Sequence, residues 1–423
     1  MRIRPPQLHL PPAIYWLAAI AFLLRVIARL WQGIDLFWVN GYTFFFRLAQ
    51  SIAAGKGIAL ADGVPTAFRV PLYPIFLAAL TFGHQWFWPV VIAQSLIGAA
   101  TVVCAALLAQ QLFPQPVCRI ASILAAAVTA IYPYYVVHDT AMQETSLFTL
   151  LTLVAVLLAL RAARTGANLP AIQCGVVLGL DVLTRSPILP FAVLVPCWLL
   201  MRLRVVPALL CALLFGVTLS PWLLRNDKLT GRPALTTEAG FELWNGNNPK
   251  LFLTYPLQSV DVSIAAAVAA LTPSERQQLA RFNGNERLID HWYRQQAVHY
   301  IRRRRRIILD HDWRKIEATF DWLPTPRRST AQTIAHAVSF APVMVLGLWG
   351  IWIRRRQWRD DSLIYLLFLQ FLAVTAIFFG QTNHRVFLDV YLIVYASGVV
   401  AAEVARLRAR RLAGSPHPAR LAA

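Results

Sequence analysis

The sequence predicts an all-α polytopic membrane protein: a bundle of about ten transmembrane helices with interfacial helices and an extracytoplasmic loop region. Hydrophobic residues make up 57% of the 423 residues and charged residues only 14%, whereas charged residues make up roughly a quarter of a typical soluble chain. The apolar residues gather in stretches long enough to cross a hydrocarbon core of roughly 30 Å. A soluble globular protein is therefore excluded.

Ten apolar stretches are candidate spans. They cover residues 13–30, 87–113, 117–137, 144–161, 170–186, 187–201, 204–222, 336–353, 361–379 and 386–405. The stretch 71–82 is short and rich in proline, and we predict an interfacial helix on the outer side there.

These spans divide the chain into four regions. They are an N-terminal transmembrane module (1–222) whose first outer loop (31–86) is expected to carry the site, an extracytoplasmic region (223–335), C-terminal transmembrane helices (336–405) and a basic tail (406–423). Within the second region, residues 286–320 predict a basic amphipathic helix, or a pair of helices, at the membrane surface.

Charge is strongly unbalanced, with 40 Lys and Arg against 20 Asp and Glu. Many of the basic residues flank apolar spans, which suits anionic headgroups and the positive-inside bias. This placement favours membrane lipids as partners over nucleic acid. If the N-terminus is cytoplasmic, the short arginine-rich loops and the tail all lie inside, so we expect an inner (plasma) membrane protein with both termini in the cytoplasm.

Charged residues at span ends are the first candidates for chemistry, because charge within a membrane is costly. Asp181 and Arg185 are four residues apart, so they can neutralise each other on one helix face. Alternatively, Arg185 lies at the outer end of its span and binds an anionic headgroup or phosphate. His138, Asp139 and Glu144 share a short outer loop. They suit acid/base chemistry, helix capping or, with only one histidine, a weakly indicated metal site.

Two further outer segments carry polar residues. Asp35 lies just past the first span, where a carboxylate can meet a substrate at the bilayer surface or cap a helix. After the seventh span, Arg225 is followed by the turn Asn245–Asn248. Together these residues can line a polar cleft, although the asparagines alone indicate only a turn.

Five ordered motifs resemble bacterial GT-C type membrane glycosyltransferases, the family 39-like relatives of protein O-mannosyltransferases and of the lipid A aminoarabinose transferase. The motifs are GYTFFFRLAQSIAAGKGI, AFRVPLYPIFLAAL, IYPYYVVHDTAMQETSLFTLL, LGLDVLTRSP and PWLLRNDKLTGRPALTTEAGFELWNGNNP. The resemblance implies transfer of a sugar from a polyprenyl-phosphate carrier to an envelope glycan, lipid or protein on the outer side of the membrane, with inversion.

The resemblance also implies roles for individual residues. Arg69 takes the position of the donor-phosphate ligand, with His138 and Arg225 as additional phosphate contacts. Glu144 takes the second acidic position, where it orients the acceptor or a metal ion, so a divalent cation remains open. The remaining expected residues of the substrate cleft are Asn40, Tyr42, Arg185, Asn245, Asn247, His384 and Arg385.

One departure from the family pattern concerns the general base. Asn40 stands where relatives carry an acid, and an amide cannot accept the acceptor's proton. Either Asp35, which we favour, or Glu144 or Asp139 takes this role, or the chain binds carrier lipid without catalysis. A flippase or transporter is the remaining alternative, but it predicts internal repeats and charges near the middle of the bilayer.

Overall fold

The structure is a computed structural model that describes residues 10–35, 37, 43–60, 63–327 and 329–414. Over these residues the regular secondary structure is helical, and the strand-like pairing is limited to an isolated antiparallel bridge between Ala59 and Pro65. The predicted all-α membrane fold class is confirmed.

The first half of the described chain forms most of the bundle. Its helices are α1 (Pro12–Gln32), α2 (Thr43–Ala53), α3 (Leu72–Thr81), α4 (Trp88–Leu112), α5 (Val117–Ile131), α6 (Pro133–Asp139), α7 (Thr145–Thr165), α8 (Asn168–Thr184), α9 (Leu189–Met201) and α10 (Val205–Thr230).

The second half begins with shorter helices and returns to long ones. The helices are α11 (Ala239–Asn245), α12 (Val260–Ala269), α13 (Pro273–Arg281), α14 (Glu286–Arg303), α15 (Arg305–Phe320), α16 (Thr330–Ile353), α17 (Trp358–Ile377) and α18 (Val386–Gly414). The predicted amphipathic segment 286–320 is thus a pair of helices that meet at Arg304.

Six helical segments of the described chain are long and apolar enough to cross a membrane, or seven if the bent pair α5–α6 is one span. One of the six, Thr330–Ile377, has 48 residues. At ~1.5 Å per residue, a continuous helix of this length would extend about 72 Å, more than twice the thickness of the hydrocarbon core. A short 3-10 segment at Arg354–Gln357 divides it into α16 and α17. With the shorter apolar helices α8 and α9, every predicted stretch coincides with a helix.

Apolar side chains lie both inside and outside the bundle. The last helix, α18, is central, and its segment 386–395 is buried throughout. The first helix is peripheral: Trp16, Ile27 and Trp31 are 73%, 59% and 86% exposed. An apolar outer surface of this kind is stable when it faces lipid.

Arginines gather at one end of the bundle. Arg164 donates to the carbonyl of Gln111 (2.7 Å), and Arg204 donates to the carbonyl of Ala163 (2.9 Å). Arg354, at the junction of α16 and α17, also lies near Arg164. Helix α7 runs from the opposite end of the bundle, where Glu144 precedes it, to the arginine-rich end at Thr165.

Candidate active site

Several polar side chains converge at the end of the bundle opposite the arginine-rich one. They come from five regions of the chain: the segment before α3, the last turn of α6 with the bend that follows it, the residue after α8, α11 with the residue before it, and the turn before α18. The converging residues are Arg69, His138, Glu144, Arg185, Glu238, Glu242 and His384.

Arg69 is held between two carboxylates of α11. Its Nη1 lies 2.9 Å from Oε2 of Glu238, and its Nη2 lies 3.8 Å from Oε1 of Glu242. The two glutamates are four residues apart, so they project from the same face of the short helix. The Arg69 side chain is 37% exposed, and its guanidinium is therefore accessible to a ligand from one side.

Burial raises the pKa of Glu238. The pKa of Glu238 is raised to about 8, mainly by desolvation, while Arg69 opposes the rise and the neighbouring charges of Glu242 and Glu144 contribute to it. Burial also raises the pKa of Glu242 against the opposing effect of Arg69. A carboxyl group with a pKa near neutral can exchange a proton during a reaction, which is typical of catalytic acids and bases.

Glu144 pairs with Arg185 across α7 and α8. The Arg185 Nε lies 3.3 Å from Oε1 of Glu144, and the guanidinium lies 5.5 Å from the ring centroid of Phe148. The Oε2 of Glu144 is buried and has no hydrogen-bond partner among the described residues. A side chain that capped α7 would engage the backbone, and no cap bond from Glu144 is present.

The expected self-neutralising pair of Asp181 and Arg185 is wrong. The fully buried Asp181 accepts a hydrogen bond from Thr152 (2.8 Å) within the bundle. Arg185 is the residue that ends α8, where the extended backbone directs it away from the helix axis and toward Glu144. The alternative, in which Arg185 reaches the outer end of its span, agrees with this geometry.

Two histidines complete the cluster. His138 Nδ1 lies 2.7 Å from Oε1 of Gln143, and its ring stacks on Tyr134 with centroids 5.9 Å apart. His384 is half-buried, and burial lowers its pKa to about 3, helped by the positive charges of Arg185, His138 and Arg69. His384 is therefore neutral at pH 7, and the electrostatic environment around it favours an anion.

Arg225 positions the segment that carries Arg69. Its Nη2 donates to the carbonyl of Ile58 (2.8 Å) and its Nη1 to the carbonyl of Thr66 (3.0 Å). The Arg225 guanidinium also lies 4.7 Å from the ring centroid of Trp222. The guanidinium of Arg225 therefore binds backbone carbonyls and affects the site by fixing the segment that carries Arg69.

Glu286 of α14 holds the same segment from the other side. Its carboxylate accepts hydrogen bonds from the Thr66 hydroxyl, from the backbone N–H of Ala67 (3.0 Å) and from the Thr237 hydroxyl (2.7 Å). The backbone N–H of Thr237 in turn donates to the carbonyl of Ala67 (3.0 Å). The hydrogen bonds that join Ala67 to Thr237 and Glu286 therefore hold Arg69 close to Glu238.

The predicted asparagines support α11. Asn245 donates to Oε2 of Glu242 (3.1 Å). Asn247 donates to the carbonyls of Leu243 and Ile377 (both 2.8 Å) and accepts from Lys315 (3.3 Å). Asn245 therefore orients a site carboxylate, whereas Asn247 ties the turn to the end of α17.

Two predicted residues belong to buried ion pairs in the bundle. Asp139 lies 2.5 Å from the Arg25 Nε, and both side chains are almost completely buried. Arg385 donates to both oxygens of Asp389 (3.0 and 3.1 Å) and to the carbonyl of Thr319 (2.8 Å). Their partners give both residues structural roles in fixing α1, α6 and α18.

Asp35 is exposed and forms no ion pair with any described residue. Asn40 and Tyr42 lie outside the described residues. Within the described part of the chain, no group of three or more His, Cys, Asp and Glu side chains is arranged to hold a metal ion.

Sequence reasoning missed Glu238 and Glu242. Both lie in the motif TTEAGFELWNGNNP, from which only the asparagines were selected. The sequence does carry one indication of them. Two acids stand four residues apart in a segment with no other charge, and this spacing lets both contact one cation.

Comparison with known proteins supports the resemblance found in the motifs. Residues 69–224 match the model of the family described as dolichyl-phosphate-mannose-protein mannosyltransferase. This match includes Arg69, His138, Glu144 and Arg185, whereas Glu238 lies beyond it. The match bears out the resemblance to GT-C type membrane glycosyltransferases over this part of the chain.

Among solved structures, the chain is similar to the apo oligosaccharyltransferase of Archaeoglobus fulgidus. The sequence identity is 12%, the TM-score is 0.48, and the similarity covers 94% of this chain and 52% of that chain. The chain thus spans about half the length of that protein. No curated protein matches the chain in sequence.

Proposed function

We propose that this protein transfers a sugar from a polyprenyl-phosphate carrier to an envelope glycan, lipid or protein, with inversion at the anomeric carbon. The observation that carries the proposal is the half-exposed Arg69 beside two carboxylates at one end of an apolar helical bundle. A lipid-linked donor brings its phosphate to the headgroup level, where spans end. A guanidinium binds such a phosphate with two parallel hydrogen bonds.

Arg69 is the proposed ligand of the donor phosphate. Glu238 and Glu242 pair with it, and a bound phosphate takes over part of this pairing. Arg185 and His138 add positive charge near His384. This charge stabilises the phosphate as it leaves, when its negative charge is greatest.

The proposed reaction is a single displacement. The oxygen of the acceptor hydroxyl forms a bond to the anomeric carbon while the bond from that carbon to the phosphate oxygen breaks. The electron pair of the broken bond stays with the phosphate, which Arg69 holds, and the hydroxyl proton passes to a carboxylate. Attack opposite the leaving group inverts the configuration, and Glu144 orients the acceptor through its free Oε2.

We propose Glu238 as the carboxylate that accepts the proton. It is buried and pairs with Arg69 at 2.9 Å. Once the donor phosphate takes this place beside Arg69, the released carboxylate faces the acceptor hydroxyl, across the anomeric carbon from the phosphate. Its raised pKa makes it a stronger base than an ordinary carboxylate once ionised. Asp35, which the sequence favours because Asn40 takes the family's acid position, remains the alternative, and the experiment below separates the two.

The orientation of the site in the membrane follows from the arginines. Arg164, Arg204 and Arg354 lie at the end of the bundle opposite Glu144. The positive-inside bias favours the cytoplasm for that end. We therefore propose that the site faces the outer side of the plasma membrane, where an envelope acceptor is available.

The test measures transfer by the purified, detergent-solubilised protein from radiolabelled polyprenyl-phosphate sugars. Wild type is compared with Glu238→Gln, Asp35→Asn, Glu144→Gln and Asn40→Asp. Loss of the base should lower turnover by roughly 10² to 10⁴. The matched control is Glu403→Gln, which removes an exposed carboxylate of α18 that pairs only with Arg406 in the described chain.

A loss in Glu238→Gln with activity retained in Asp35→Asn supports Glu238 as the base, and the reverse result assigns that role to Asp35. Retained carrier-lipid binding without turnover of any donor would replace the proposal by a catalytically silent lipid-binding protein. Movement of carrier lipid across a vesicle membrane without sugar transfer would favour a flippase.

A further inference from the structure

An exposed run of arginines lies at the junction of α14 and α15. Arg302 to Arg306 are all exposed, and α15 has no acidic residue in its first turn. Within the described ranges, none of the five guanidinium groups forms an ion pair with a carboxylate. Like charges this close repel one another. Their positive charge is therefore available to an anionic partner outside the chain.

Helix α15 is fixed at the level where two spans end. The Lys315 Nζ donates to the carbonyl of Ala376 (2.8 Å), which lies in the last turn of α17. Arg385, just before α18, donates to the carbonyl of Thr319 (2.8 Å). The C-terminal half of α15 therefore lies at the ends of α17 and α18, which is the depth at which lipid headgroups begin.

The outer face of α15 exposes apolar side chains. Leu309 is 78% exposed and Trp313 is 65% exposed. They are four residues apart and lie on one side of the helix, whereas Lys315, Ala318 and Thr319 are buried against the protein. Tryptophan is enriched at the boundary between membrane and water, where its ring is in apolar surroundings and its N–H remains hydrated.

These observations point to one kind of partner. We infer that Arg302 to Arg306, together with Leu309 and Trp313, form a surface that binds anionic phospholipids of the bilayer. The arginines contact the headgroup phosphates, and the two apolar side chains enter the region between headgroups and acyl chains. This inference does not depend on the proposed sugar transfer.

The experiment uses the full-length protein in nanodiscs with a bimane label at Leu309→Cys. The exposed Cys197 and the half-buried Cys104 are first replaced by serine, so that the label reacts at one position. Label fluorescence is then measured with brominated phosphatidylglycerol or brominated phosphatidylcholine as the quenching lipid at equal mole fraction. Quenching by the anionic lipid should exceed quenching by the zwitterionic lipid by about twofold or more at low salt.

A charge variant tests the role of the arginines. Replacement of Arg302, Arg303, Arg305 and Arg306 by glutamine should abolish the preference for the anionic lipid. The matched control removes the same number of exposed arginines from the other end of the bundle through Arg355→Gln, Arg356→Gln, Arg408→Gln and Arg410→Gln. The control should keep the preference.

Three results would overturn the inference. Absence of quenching by either lipid would place Leu309 in water. Equal quenching by both lipids would show contact with the bilayer without selection for negative charge. An anionic preference that persists in the variant with four glutamines between 302 and 306 would exclude these arginines as its source.

Discussion

The Arg69 Nη1 lies 2.9 Å from Oε2 of Glu238, which joins the segment before α3 to the start of α11. The pair combines a half-exposed cation with a buried carboxyl group whose pKa is raised to about 8. A cation for the leaving phosphate and a carboxyl group that can exchange a proton are the two components that displacement of a phosphate leaving group requires.

Arg69→Lys should lower sugar transfer even though the positive charge is retained. Lysine retains a positive charge but loses the planar fork that contacts a phosphate and two glutamates together. We expect transfer to fall by roughly 10- to 100-fold, with a larger loss, about 10² to 10³, for Arg69→Gln. The measurement is kcat/KM for the lipid-linked donor, with the thermal unfolding midpoint as a control for folding. An unchanged kcat/KM in Arg69→Gln would remove Arg69 from the site.

Transfer should depend on pH through Glu238. If this residue takes the acceptor's proton, only its ionised form is active, so the rate should rise as the pH increases through about 8. The measurement is kcat/KM from pH 6 to about 9. Glu144→Gln should lower the rate without moving this profile. A profile that is flat over this range would contradict Glu238 as the base.

Protein stability should depend on pH in the opposite sense. The pKa of Glu238 is raised from its ordinary value of 4.5 to about 8, so the folded state holds the proton more tightly than the unfolded state. The stability associated with this proton is present below pH 4.5 and is lost as the pH rises toward about 8. Glu238→Gln, which cannot ionise, should therefore show a smaller decline of the free energy of unfolding across this range, by an amount on the order of a few kcal/mol. Equal slopes for wild type and variant would contradict the raised pKa.

The buried pair of Arg25 and Asp139 needs the space that Gly98 provides. A Cβ at position 98 would overlap with the Arg25 Nε and the Asp139 carboxylate. Gly98→Ala should therefore destabilise the protein by roughly 2–4 kcal/mol, because the pair cannot move into water. The measurement is thermal unfolding in detergent.

Gly216→Ala is the matched control for this substitution. Gly216 also lies within a helix, but nothing is within 4 Å of the position that its Cβ would occupy. Alanine there should be neutral or slightly stabilising, because it favours helix. Equal unfolding midpoints for the two variants would show that the ion pair does not need a glycine.

Support for Arg69 by its neighbours can be tested at Glu286. Its carboxylate holds Thr66, Ala67 and Thr237 together. Glu286→Gln keeps the shape of the side chain but weakens these contacts, and we expect transfer to fall about tenfold as Arg69 loses its fixed position. The measurement is kcat/KM, and Glu317→Gln, which changes an exposed glutamate of α15, is the control. Equal activity of both variants would show that the segment needs no such support.

Much of the site was predictable because span ends are visible in the sequence. Arg69, His138, Glu144, Arg185 and His384 all lie where apolar stretches begin or end, and the structure brings them together. Other residues in similar positions proved to have different partners. Arg225 binds backbone carbonyls and Asp139 binds Arg25. No local pattern distinguishes these cases, because each depends on a residue far away in the chain.

The sequence by itself determined the all-α membrane architecture and the placement of arginines in the short loops at one end of the bundle, because hydrophobicity and charge are local properties of the chain. Only the tertiary structure decided which carboxylate pairs with which basic side chain. Arg185 pairs with Glu144 although Asp181 lies one helical turn away. Glu238 becomes a buried partner of Arg69 because Glu286 and Thr237 hold the two segments together. Ion pairing and pKa depend on distances of a few ångströms and on desolvation, and both arise only when distant elements pack.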